Sequence, residues 1–221
     1  MKVVCLSASN IEPAKQHSAS TRTCELIRDL LANLNPRSEV EIVTLIDYNL
    51  RPCRMCGECL ATLRCSQDEA FNQVHDRMQS ADAVFLVCPH YAPIPSKVMI
   101  LLEKLEEMAY LKYCQDNSSH TPVYGKPIGI IAHGGQTEEA LPYYQTALLD
   151  PLANAFASVQ MRVIGAGEQW PNGATFGIKS LTMPPGSIFV TIDHDWETIR
   201  QRIQPLVENV IAALQVASCN K

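Results

Sequence analysis

Short apolar runs alternate along the chain with longer stretches whose apolar residues recur every three or four positions. Five runs have the length and composition of β-strands: residues 3–6, 40–43, 83–87, 128–131 and 161–164. Helical spacing is found over residues 20–31, 68–80, 96–110, 138–156 and 196–216. Strands that alternate with helices in this way predict a parallel sheet built from βαβ units. The run at 83–87 is apolar at every position, which is typical of a central strand that helices cover on both faces.

Five such strands predict a three-layer, doubly wound α/β fold of the flavodoxin-like type, with a five-stranded parallel sheet in the order 2-1-3-4-5. In this order the ligand lies at the carboxyl ends of strands one and three. The informative loops are therefore those after Leu6, Val87 and Ile131. No internal repeat is visible, so we expect a single domain. This domain spans residues 1–221. It contains three irregular segments: a cysteine-rich loop at 53–65, a surface loop at 111–126 and an extended Gly- and Pro-rich loop at 165–191.

Composition narrows the possible partners. The formal net charge is −5, and no basic stripe is present that could follow a nucleic-acid backbone. The N-terminal apolar run is too short for a signal peptide, and no apolar stretch approaches the roughly 18 residues of a membrane span. We therefore expect a cytoplasmic protein with no nucleic-acid or membrane partner.

The loop after the first strand is rich in hydroxyl groups. Ser7 and Ser9 open it, and Ser18, Ser20 and Thr21 close it where the first helix begins. Hydroxyls and backbone N–H groups at a helix N-terminus suit a phosphate group. The alternative is ordinary helix capping, for which Ser and Thr are also the usual residues. The chain lacks the lysine-bearing P-loop and the three-glycine dinucleotide fingerprint, which disfavours ATP and a classical NAD fold.

The loops after the third and fourth strands have unusual backbones. Residues 88–96 contain three prolines, which hold a loop in one extended shape. Such a rigid ledge suits a planar heterocycle; a stiff surface turn with Tyr91 packed on it is the alternative. After the fourth strand, Gly134 and Gly135 allow close approach of backbone to a ligand. His133 before them is either a structural polar residue or a ligand contact.

Four of the nine cysteines form the pattern C-x2-C-x2-C-x5-C in one short loop. They are Cys53, Cys56, Cys59 and Cys65. Closely spaced thiolates are the usual ligands of a [4Fe–4S] cluster. Structural zinc sites usually separate their cysteine pairs by a longer stretch, so zinc is the weaker metal alternative. Free thiols without a metal remain the other alternative.

Taken together, these motifs resemble the NAD(P)H-dependent FMN reductases and, within them, the iron–sulfur flavoproteins. The resemblance implies FMN with its phosphate at Ser7, Ser9, Ser18, Ser20 and Thr21. It implies an isoalloxazine ring against Pro89, His90, Tyr91, Ala92, Pro93 and Ile94, bordered by His133, Gly134 and Gly135. It also implies a [4Fe–4S] cluster on the four cysteines and a homodimer or homotetramer. The first loop departs from the family by an insertion at residues 11–15, and Met99 stands where many relatives have lysine.

Three functions follow as hypotheses. The first is an FMN-binding electron-transfer oxidoreductase with a [4Fe–4S] cluster, working between ferredoxin or NAD(P)H and an acceptor such as a quinone, a flavin or an oxygen species. The second is an NAD(P)H-dependent FMN or quinone reductase without a cluster. The third is a non-catalytic flavin-binding redox sensor. In the first two the flavin carries the chemistry, so no catalytic acid, base or nucleophile is expected.

Overall fold

The sheet has the strand order that the sequence predicts. A computed structural model describes residues 1–11, 17–116, 120–186 and 190–219. The strands are β1 (Lys2–Ser7), β2 (Glu39–Thr44), β3 (Ala83–Pro89), β4 (Pro127–His133), β5 (Arg162–Ile164), β6 (Ala174–Phe176), β7 (Ser180–Thr182) and β8 (Thr191–Asp193). The parallel order β2-β1-β3-β4-β5 confirms the doubly wound prediction, and β7 and β8 form a separate antiparallel pair.

One edge position of the sheet is shared by two short strands. β5 pairs with the first half of β4, and β6 pairs with its second half. The sheet therefore has six strands where the sequence predicts five, and the segment 165–191 is not wholly irregular. Gly173 makes this possible, because a Cβ there would lie 2.1 Å from the carbonyl oxygen of Ile130. A side chain at this position would push β6 away from β4.

The helices cover both faces of the sheet. They are α1 (Ala19–Leu34), α2 (Glu69–Ser80), α3 (Ser96–Gln115), α4 (Leu141–Tyr144), α5 (Asp150–Ser158) and α6 (Trp196–Cys219). Side chains alternate along β1, so that Val4 and Leu6 join the core beside α2, α3 and α5. Val3 and Cys5 join the opposite core beside α1 and α6. This alternation produces the predicted three layers. No helix in the described ranges is long and apolar enough to cross a membrane.

Two helix predictions need correction. The predicted helix over 138–156 is broken into a 3-10 turn, α4, a π-helical turn at Gln145–Leu149 and α5. Pro151 explains part of the break, because proline has no N–H to continue an α-helical hydrogen-bond ladder. The helix predicted to end at 110 continues to Gln115, so the first residues of the predicted surface loop at 111–126 are helical.

Three loops meet at one rim of the sheet. The register pairs Ser7 with Val87, and Pro89 with His133, so β1, β3 and β4 end side by side. The N–H of Ala8 donates to the carbonyl of Val87 at 3.0 Å, and the N–H of His90 donates to the carbonyl of His133 at 2.7 Å. Backbone hydrogen bonds thus hold the starts of the three loops together.

Candidate functional site

A connected group of hydroxyls lies at the N-terminus of α1. The Ser7 and Thr21 hydroxyl oxygens are 2.9 Å apart, and the Ser18 hydroxyl donates to the Thr21 hydroxyl at 3.0 Å. Ser18 also caps the helix, because its Oγ accepts the N–H of Thr21 at 3.2 Å. The capping interpretation therefore holds for Ser18. The first turn of α1 contains no acidic residue, so the positive end of its dipole is not neutralised from within that turn.

His133 connects the end of β4 to α1. Its Nε2 lies 2.8 Å from the Ser20 hydroxyl, and its ring stacks parallel on Phe176 with 4.8 Å between the ring centroids. Burial, with a smaller effect from the charge of His194, lowers the pKa of His133 to about 3. The imidazole is therefore neutral at physiological pH. These contacts give His133 a structural role, and its ring also borders the pocket described below.

The proline-rich loop after β3 turns sharply away from the sheet. The N–H of Tyr91 donates to the carbonyl of Pro93 at 2.8 Å, and Ala92 has a φ of 59°, in the left-handed region. An alanine in this region is strained, and such strain is concentrated at functional sites. His90 reaches across to α4, where its Nε2 lies 3.2 Å from the Tyr143 hydroxyl.

The glycine loop after β4 is packed against a tyrosine. A Cβ at Gly134 would lie 2.3 Å from the Tyr144 ring, whereas a Cβ at Gly135 would meet nothing within 4 Å. The Tyr144 hydroxyl accepts the N–H of Gln136 at 2.8 Å, which fixes the ring beneath the loop. Gly134 is therefore required by packing, and Gly135 leaves its surroundings open.

These loops surround one pocket of about 450 Å³. Nine residues selected from the sequence line it: Ser9, Ser18, Ser20, Pro89, His90, Tyr91, His133, Gly134 and Gly135. Ser7 and Thr21 are buried behind the lining. Ala92 and Pro93 are exposed outside the lining, and Ile94 packs against the hydrophobic core. Residues 12–16, which include most of the first-loop insertion, lie outside the described residues.

Sequence reasoning missed the far wall of this pocket. The wall consists of Ile178 before β7, Ile192 and Asp193 of β8, His194, and Trp196 at the start of α6, together with Arg22 of α1. The sequence signal at 178–196 was only the unusual length of a Gly- and Pro-rich segment. Burial, with a smaller contribution from the charge of Arg22, lowers the pKa of His194 despite the opposing effect of Asp193.

The pocket suits a phosphorylated flavin by size and by chemistry. Its volume lies within the roughly 300–1,000 Å³ of ordinary small-molecule sites. Hydroxyls and a helix N-terminus lie at one side, and the rigid loop of Pro89 and the two glycines lie at the other. The first set offers neutral hydrogen-bond donors for a phosphate, and the second offers backbone and aromatic surface for a planar ring.

The four cysteines of the motif border a second pocket. Cys53, Cys56, Cys59 and Cys65 all line it, together with Lys104. Among the residues that the structure describes, no three His, Cys, Asp or Glu side chains are grouped closely enough to hold one metal ion. The predicted zinc alternative therefore has no assembled site in this part of the chain. The four thiols have the chemistry of a [4Fe–4S] site, in which each thiolate binds a different iron atom.

The ends of the cysteine loop are fastened by polar contacts. The buried Asp68 carboxylate accepts the N–H groups of Arg51 at 2.8 Å and Phe71 at 3.0 Å, and lies 3.1 Å from the ammonium of Lys104. Burial alone would raise the pKa of Asp68, but these hydrogen bonds and the Lys104 charge lower it. The Lys104 Nζ is also 3.4 Å from the Cys65 sulfur.

Comparison with known sequences identifies a family. The sequence model of a family described as NADPH-dependent FMN reductase matches residues 1–171. An iron–sulfur flavoprotein from Archaeoglobus fulgidus is 40% identical over 53 residues. That match covers 24% of this chain and 26% of the relative, so this chain matches about a quarter of the length of that protein.

Solved structures share the fold. RosB with bound 8-demethyl-8-formylriboflavin-5'-phosphate has a TM-score of 0.59 and 17% identity, covering 99% of this chain and 80% of that chain. An azoreductase from Bacillus anthracis has a TM-score of 0.53 and 14% identity, covering 98% of each chain. At such low identity the likeness establishes the flavodoxin-like fold alone.

Proposed function

The chain belongs to the NADPH-dependent FMN reductase family and is a flavin-dependent oxidoreductase; on that premise we propose that it binds FMN in the rim pocket and takes electrons from NAD(P)H. The observation that carries the proposal is the meeting of three loops in this one pocket. The hydroxyl loop after β1 supplies donors for a phosphate, and the loops after β3 and β4 supply a rigid border for a ring. Family membership favours an enzyme over the non-catalytic sensor.

Bound FMN would supply the redox chemistry, accepting a hydride from NAD(P)H and passing electrons to an acceptor. The protein binds and orients the ring. Neutral His133 keeps the start of α1 in place through Ser20, and the absence of a side chain at Gly134 lets Tyr144 support the third loop. The partly exposed side chains of His90 and Tyr91 border the pocket. We propose a flat aromatic acceptor such as a quinone for this open side.

A second candidate adds a [4Fe–4S] cluster on the cysteine loop and ferredoxin as a possible donor. Its support is the shared pocket of the four cysteines and the partial likeness to an iron–sulfur flavoprotein. The left-handed backbones of Met55 and Leu63 add support, because residues with strained backbones are concentrated at ligand sites. The reductase proposal does not depend on this cluster.

Purification without oxygen tests both proposals in one experiment. We expect flavin absorption bands that NAD(P)H bleaches, and FMN as the flavin released on denaturation. Colourless protein that takes up no added FMN would contradict the reductase. Iron and labile sulfide that are present in the wild type and lost in Cys56→Ser would support the cluster. Rapid bleaching with no iron, and at an unchanged rate in Cys56→Ser, would leave the reductase and remove the cluster.

A further inference from the structure

The far wall of the rim pocket is joined to the hydroxyl loop by a closed circuit of contacts. From Ser20 the circuit passes through His133 to the stacked ring of Phe176. His194 meets the Phe176 ring edge-on at 6.1 Å and lies 5.0 Å from the Trp196 ring, measured between centroids. The circuit returns to the first helix at Arg22, the fourth residue of α1.

Arg22 is held on the face of an indole ring. Its guanidinium carbon lies 4.2 Å from the centroid of the Trp196 ring, well within the range of a cation–π contact. Arg22 is exposed and Trp196 is half-buried, so the indole is the fixed partner of the pair. An arginine stem is flexible, and this contact selects one direction for its charged end.

The charge of Arg22 is not matched by a carboxylate. Within the described ranges no Asp or Glu lies at ion-pair distance from it, and the nearby Asp193 is instead 3.7 Å from Lys179. Arg22 is also the one Lys or Arg side chain among the described residues that line the pocket. A permanent positive charge thus faces a pocket whose other donors for an anion are hydroxyls, imidazoles and backbone N–H groups.

We propose that Arg22 recognises the phosphate group of the bound flavin nucleotide and that Trp196 aims its guanidinium. This inference rests on the proposed function and deepens it, because it adds a charged residue to the neutral hydroxyls that would distinguish phosphorylated from unphosphorylated flavin. A phosphate monoester carries close to two negative charges, and a planar guanidinium binds it with two parallel hydrogen bonds. Trp196 lies beyond residues 1–171, which are the residues that the family model matches.

The test compares FMN with riboflavin, which lacks the phosphate, in equilibrium titrations followed by flavin fluorescence. In Arg22→Gln we expect the Kd for FMN to rise by about tenfold to a hundredfold, since a charge-assisted hydrogen bond is lost. The Kd for riboflavin should stay unchanged. Arg28→Gln is the matched control, because Arg28 lies on the same helix, outside the pocket, beside Asp29. It should leave both affinities as they are in the wild type.

Trp196→Leu tests the aiming role. This substitution should weaken the binding of FMN but not that of riboflavin. In an Arg22→Gln background it should have little further effect on FMN binding, because the two residues act through one contact. Equal weakening of FMN and riboflavin in Arg22→Gln, or no change for FMN, would overturn the inference while leaving a flavin site. Wild-type protein that binds neither flavin would instead overturn the proposed function on which the inference depends.

Discussion

At the scale of single residues, the two adjacent glycines of the third loop have different roles. Gly134 faces the Tyr144 ring, and the space that a methyl group would need is already filled. Gly135 has open space around the corresponding position. The sequence predicted close approach of backbone for both glycines. It could not show that one of them approaches a tyrosine of the same chain.

Gly134→Ala should destabilise the protein even without flavin. Overpacking of this kind costs about 1–3 kcal/mol, because Tyr144 must leave its position and its hydrogen bond to the Gln136 N–H. Gly135→Ala is the control and should change the unfolding free energy by less than about 0.5 kcal/mol. Urea denaturation of the flavin-free proteins measures both values. Equal stability of the two variants would show that Tyr144 does not confine Gly134.

The individual residues of the site were predictable to different degrees. Ser18 and His90 directly follow or precede recognisable strands and helices, so their place at the rim followed from the order of elements. Arg22 and Trp196 could not be recognised, because their contact joins positions far apart in sequence and depends on the β7–β8 hairpin. Nothing local distinguishes Arg22 from an ordinary solvent-facing helix residue.

At the scale of elements, the cysteine loop is attached to α2 and α3 by hydrogen bonds. The Asn72 amide forms two hydrogen bonds with the backbone of Cys65, at 2.8 and 2.9 Å. The Glu103 carboxylate accepts the N–H of Cys53 at 3.2 Å. With the Asp68–Lys104 ion pair, these contacts hold both ends of the loop independently of any metal.

Lys104→Met should therefore lower the free energy of unfolding by about 3–5 kcal/mol, because it leaves the Asp68 carboxylate buried without its cation. The two side chains are 3% and 2% exposed, which is why solvent cannot replace the lost partner. Lys112→Met, on the same helix with its ammonium beside the exposed Gln115 amide, should change stability little. Thermal and denaturant unfolding check the difference. A Lys104→Met protein as stable as the control would mean that the ion pair contributes nothing net.

Elements with long apolar patterns were predictable, and short or interrupted ones were not. The apolar periodicity of 138–156 extends across the break at the π-helical turn, because side-chain pattern does not report which backbone hydrogen bonds are lost at Pro151. β6 has only three residues and follows Gly173. Its strand character comes from pairing with β4, so local sequence could not reveal it.

At the scale of the whole molecule, alternation of strands and helices was enough to predict the sheet order. That order then placed three loops at one rim without knowledge of any side-chain contact. The order of strands and helices does not predict the wall formed by β7 and β8, because these two strands lie outside the main sheet.

Global stability should fall as the solution is acidified below about pH 6.5, the ordinary pKa of histidine. Burial, the dominant cause, lowers the pKa of His75 to about 4 and that of His133 to about 3, so the folded state prefers both imidazoles neutral. As the pH falls, these histidines take up protons in the unfolded chain before they do so in the folded protein. The free energy of unfolding therefore falls by up to about 1.4 kcal/mol per pH unit for each histidine. Above about pH 6.5 both histidines are neutral in the folded and unfolded states, so this loss of stability is absent.

Denaturant titrations at about pH 7.5 and about pH 5 measure this loss. His75→Gln should lose less stability between the two pH values than the wild type, because one of the two buried imidazoles is gone. His120→Gln is the control, since His120 is exposed. A wild-type protein that is equally stable at both pH values would contradict the neutral state of these histidines.

The attachment of the cysteine loop at both of its ends has a consequence for how this scaffold can change over time. The Arg51 N–H is hydrogen-bonded to the Asp68 carboxylate, and that carboxylate is paired with Lys104 of α3. The residues between Arg51 and Asp68 therefore form a loop whose two ends are held in place. We expect sequences of other lengths and chemistries to be tolerated there as long as they cover the core surface on which Cys59, Leu63 and Cys65 pack. One ancestral framework could in this way acquire, lose or exchange an inorganic prosthetic group while its nucleotide pocket stays intact.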